Sequence, residues 1–145
     1  MKYQIGSQGR IIVIRFDDRD DLIEGLESIA KKEDIRAGLV YVIGGMRKAK
    51  IVVGPEKDDL PPEPMWRALD EPNEILAVGT VFYDADAPKV HIHGAFARGD
   101  TVRVGCLREL SETFLVIEAV IMEIKGVSAR REFDPASGLK LLKLA

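Results

Sequence analysis

The chain has 145 residues, 46% of them hydrophobic and 31% charged, enough for one globular domain over residues 1–145 whose core needs no covalent staples. A net charge of −3 and a pI near 5.5 argue against a broadly basic surface of the kind that holds a nucleic-acid backbone. A single cysteine excludes an internal disulfide and points to a reducing compartment; with neither a signal peptide nor an apolar run of about 18 residues, the expected location is the cytoplasm, with no membrane contact.

Met1–Ser7 reads as a short strand and Arg10–Phe16 as a clearer one, its apolar run suited to cover on both faces. Four acids around Arg19, from Asp17 to Asp21, complement the macrodipole of a helix start. Leu22, Ile23, Leu26, Ile29 and Ala30 follow at helical spacing, which predicts a helix over about Asp20–Glu33. Ile35–Ile43 and Met46–Val53 read as two strands around Gly44-Gly45, a pair that suits a bulge or tight bend or the close approach of a ligand. Gly54–Pro64, with four prolines among five acids and lysines, is an exposed loop. Met65–Leu69 follows as a short strand in which Trp66 is a core or interface anchor, and Glu74–Tyr83 as a longer one.

Both histidines of the chain then fall within Lys89–Gly94. Strand alternation projects His91 and His93 from one face, with Val90 and Ile92 on the other. Gly99-Asp100 is a favourable two-residue turn between Ala95–Arg98 and Thr101–Val104. If Arg98 pairs with Thr101, His93 lies directly across from Cys106, the lone cysteine. Such neighbours have Cβ atoms roughly 4.5–5.5 Å apart, near enough for both side chains to reach one ion. Two imidazoles and a thiolate suit zinc and leave a fourth position free, so His91, His93 and Cys106 are the candidate metal ligands. Phe114–Lys125 is a long strand whose even-numbered face places Glu118 in the middle of an apolar row, where a buried carboxylate needs an ion pair, a metal or a shifted pKa; Glu118 is the candidate general base. Ser128–Phe133 and Leu139–Leu144 close the chain around a turn at Asp134–Gly138. The basic clusters at Arg47, Lys48 and Lys50 and at Arg130-Arg131 read as solvated surface or salt-bridge partners. Seven or more strands against one main helix make the class α+β with a mostly antiparallel sheet, and the histidine hairpin is apolar on both faces, more than one helix can cover.

These landmarks in order carry a resemblance. Gly9-Arg10, Asp20-Asp21-Leu22, Ile43-Gly44-Gly45, Gly79-Thr80, His91-Ile92-His93, Val104-Gly105-Cys106 and Glu118–Ile121 make the chain similar, over nearly its whole length, to the plants-and-prokaryotes-conserved (PPC) domain. The resemblance implies a homotrimer of α+β subunits. It also implies His-x-His followed by a third histidine, where this chain has Cys106 after a loop shorter by one. Plant relatives attach the domain to AT-hook segments, and this sequence has no Arg-Gly-Arg-Pro. The reading that follows is a homotrimeric, zinc-binding module with a binding or regulatory role. The alternatives are a zinc-dependent enzyme that turns metal-bound water on a small molecule with Glu118 as base, and a DNA-binding protein, which the acidic balance disfavours.

Overall fold

Apolar runs rich in Ile and Val recur along the chain outside one amphipathic segment, and the computed structural model, which describes residues 1–145, folds them as strands. In order the elements are β1 (Ser7–Asp17), α1 (Leu22–Lys32), β2 (Ala37–Pro55), β3 (Pro64–Leu69), β4 (Asn73–Asp84), β5 (Ala87–Arg98), β6 (Thr101–Lys125), β7 (Ala129–Asp134) and β8 (Leu139–Leu144). The expected α+β class holds: one helix and a single eight-stranded sheet, antiparallel except where β7 runs parallel to β4.

The sheet curls on itself. β2 pairs with both β4 and β6, β4 with β5, and β5 with β6, so four strands form a closed circuit with an inside and an outside. Alternation sends Val40, Val42, Val81, Ile92, Phe96, Ile117 and Ile121 inward, where each is at most 1% exposed. Leu22, Leu26 and Ala30, one stripe of α1, are fully buried in the same cluster, and burying such a Leu contributes about 1.5–3 kcal/mol.

The helix start works as the acid run implied, with Asp21 as the N-cap accepting from Glu24 N at 2.9 Å. Its carboxylate also accepts from Ser111 Oγ at 2.7 Å, and that hydroxyl accepts from Ile23 N at 3.0 Å, which fastens α1 to the middle of β6.

The structure corrects several expectations. Met1–Gly6 is not a strand. The two strands foreseen around Gly44-Gly45 are one, β2, with a bulge at the glycine pair: register slips from Gly44↔Ile117 to Gly45↔Phe114. Gly44 sits at φ +133°, and a Cβ there would lie 2.4 Å from the Val116 carbonyl oxygen. Likewise β6 joins the second arm of the histidine hairpin to Phe114–Lys125. Its polar middle breaks the alternation yet stays paired through further register slips against β2 and positive φ at Leu110 and Leu115. Trp66 is no core anchor: it is 39% exposed, beneath the Lys50 ammonium at 4.8 Å.

Glu118 is corrected too. The odd face of this part of β6 goes inward, so Glu118 is exposed, opposite Arg15 on β1 and Ile43 on β2. Its row is apolar but faces outward, because α1 covers only the inner side. On that outer side Val13, Ile43, Val78, Val102 and Val104 are all more than half exposed. The hairpin shows the expected two apolar faces, with Ile92, Phe96 and Leu107 buried and Val102 and Val104 bare.

Candidate metal centre

The β5–β6 ladder runs in the register read from the turn, Arg98↔Thr101 through His93↔Cys106, so the sulfur and the imidazoles share a face. His91 and His93 stand opposite Thr80 and Val78 of β4. Between these two, Gly79 points inward, where a Cβ would lie 2.6 Å from Ile92 Cγ1 and 2.7 Å from the His91 carbonyl oxygen. β4 and β5 therefore press together just where the histidines are mounted.

Nε2 of His91 and Nε2 of His93 are 3.1 Å apart, the rings edge to face at 76°. With Cys106 Sγ they form a group whose ligand atoms all lie within 4.8 Å of one another. Tetrahedral zinc, with bonds of about 2.0–2.1 Å to nitrogen, holds two nitrogens about 3.3 Å apart, so the pair fits with little movement. The sulfur needs a modest closing-in. His91 is half-buried, His93 exposed and Cys106 buried.

Electrostatics prepares these groups unequally. Burial, then Arg131, His93 and Arg108, lower the His91 pKa to about 4, so its imidazole is neutral at pH 7 with a lone pair free to ligate. Burial raises the Cys106 thiol, with Arg108 and Arg131 pulling the other way.

Two arginines that the sequence reading did not place here are therefore part of the site. Arg108 follows Cys106 by two residues, so alternation held the clue. Arg131 arrives through the parallel pairing of Asp84 with Arg131, which no local pattern announces. The basic clusters otherwise behave as expected: Arg47 pairs with Glu112, Lys50 with Glu109 and Arg130 with Glu132. A cleft of about 670 Å³ opens over the cluster, walled by Val52, Pro62, Trp66, Val104 and Leu139. Glu118 lines neither this cleft nor its neighbour.

A one-helix protein with a curled, mainly antiparallel sheet and a His₂Cys group able to hold a metal on its outer face is thus defined. The chain belongs to the Plants and Prokaryotes Conserved (PCC) domain family, whose model matches residues 3–125. It is similar to a metal-containing protein of Archaeoglobus fulgidus, with 27% identity over 99% of both chains and a TM-score of 0.86. A plant- and prokaryote-conserved (PPC) protein of Pyrococcus horikoshii shares the fold, with 24% identity over 100% of this chain and 99% of that one and a TM-score of 0.84. So does a candidate DNA-binding protein of Ralstonia eutropha, with 19% identity, coverage of 92% and 90% and a TM-score of 0.77. No protein of curated function matches the sequence. No helix is long and apolar enough to cross a membrane.

Proposed function

We propose that the chain is a homotrimeric zinc-binding module in which His91, His93 and Cys106 hold the metal and a small molecule takes the remaining position. The observation that carries this is the convergence of three ligand atoms within 4.8 Å, from the chain's two histidines and one cysteine. The Archaeoglobus relative, described as metal-containing, supports it. Zinc is favoured because two imidazoles and a thiolate match its borderline softness. When bound it is a Lewis acid with one coordination position to spare. The chain's own contribution is orientation: the ladder fixes His93 against Cys106, and the close β4–β5 packing fixes His91. The exposed apolar outer face supports the trimer, and the unpaired thiol suits a reducing compartment such as the cytoplasm.

The cleft over the cluster favours, as a second reading, an enzyme acting on a small molecule. Glu118 is too remote to serve as its base within one subunit. His93 reaches Val120, next but one to Glu118, only through Val78 and Tyr41, three strand spacings or roughly 14 Å along the sheet. DNA binding draws little support from a chain of net charge −3 whose basic clusters are largely paired with acids.

Elemental analysis of protein purified without added metal, followed by zinc titration, tests the proposal. One zinc per chain is expected. Protein that neither carries a transition metal nor binds zinc at micromolar concentration sinks it.

A further inference from the structure

We propose that Arg108 and Arg131 form an oxyanion subsite beside the His91–His93–Cys106 cluster, taking the carboxylate or phosphate of a small molecule whose apolar body lies against Trp66 and Val104. The inference deepens the metal-centre reading and rests on it only for what the ligand faces at its other side.

Both arginines line one cleft of about 500 Å³ together with His91, and this cleft continues into the larger one through their shared walls His91, Arg108 and Leu139. Neither guanidinium has an acidic partner, whereas Arg10, Arg47 and Arg130 all do. Arg131 is held by a single contact, donating to Thr80 Oγ1 at 3.3 Å, which leaves most of its five N–H donors unspent in a half-enclosed place. The acid nearest to hand, Asp84, is occupied by Lys140 at 2.5 Å. A planar fork of donors matches a carboxylate or phosphate in a bidentate fashion, and such charge-assisted bonds are about twice as strong as neutral ones. Beyond the arginines the walls turn apolar, with Val52, Trp66, Val104 and Leu139, so the ligand they fit has an anionic head and a hydrophobic body. Arg131 and Leu139 lie outside residues 3–125, so the C-terminal hairpin supplies half of the subsite from beyond the segment that defines the family.

Trp66 is the chain's one tryptophan and lines the cleft, so its fluorescence reports binding directly. The 145-residue chain, metal-free and zinc-loaded, is titrated with phenyl phosphate, benzoate and inorganic phosphate. Saturable change with phenyl phosphate or benzoate is expected, tighter than with inorganic phosphate, and the better of the two identifies the head group. Arg131→Gln and Arg108→Gln should each weaken binding by about tenfold, the double variant further, while Arg131→Lys, which keeps the charge but loses the planar fork, restores only part of it. Far-UV circular dichroism and zinc stoichiometry monitor the fold of each variant. Saturable binding that is equal in the Gln variants and the wild type overturns the proposal, as does no binding to the wild type in either form. If zinc is never taken up but arginine-dependent binding persists, the metal reading fails and the subsite stands. If zinc binds and the arginines do not matter, the subsite alone fails.

Discussion

His93 lies directly opposite Cys106 in the β5–β6 ladder, so strand pairing as well as local alternation brings the sulfur to the two imidazoles. Cys106→Ala removes that ligand and little volume. Zinc affinity is expected to fall at least about 100-fold, more than the loss typical of a supporting residue, in a competition titration against a chromophoric chelator. Stoichiometric zinc at wild-type affinity in the variant would take cysteine out of the coordination sphere.

Zinc itself should stabilise the fold, because the unfolded chain has no assembled site. At a free concentration about 100 times the Kd the gain is about 2.7 kcal/mol. A thermal melt of the wild type should therefore move upward with zinc and return after chelation, while His91→Ala shows no such shift.

Gly79 carries the close contact between β4 and β5. In Gly79→Ala the new methyl must push Ile92 and the His91 carbonyl aside, which is expected to cost about 1–3 kcal/mol in urea unfolding and to weaken zinc binding as His91 moves. Wild-type stability together with wild-type zinc affinity would mean that this packing positions nothing.

Glu123 is 8% exposed and faces Arg10, which donates to it from Nε at 3.0 Å, from Nη2 at 3.0 Å and from its backbone N at 2.9 Å. These bonds hold the Glu123 carboxyl at a pKa of about 2, below its ordinary 4.5. A lowered folded-state pKa contributes stability that is complete above about 4.5 and is lost as the pH falls through about 2. Glu123→Gln should therefore be less stable than the wild type at pH 7, with the difference shrinking steadily from pH 4.5 downward in denaturant titrations. A gap that is constant over that range would assign the effect to packing.

The bare outer face predicts assembly. Val13 and Ile43 are 79% and 53% exposed in one subunit, and the double variant Val13→Glu/Ile43→Glu should shift the protein from trimer to monomer in light scattering after gel filtration. A wild type that is monomeric at micromolar concentration would leave this face in need of another explanation.

The sequence by itself determined the helix, the polarity of the histidine hairpin and its register, because acid placement, apolar spacing and a two-residue turn are local signals that act within a few residues. Gly44-Gly45 likewise announced a bulge, though not that the strand would run on through it. Tertiary structure alone decided which face of β6 turned inward: the row containing Glu118 is as apolar as the one behind it, and the closure of the sheet with α1 around one core chose between them. It also brought Arg131 to the cluster, through a parallel pairing made across the long β5–β6 excursion. Short-range periodicity can fix which side chains share a face, but which face meets the core and which distant segment arrives beside it depends on the closure of the whole sheet.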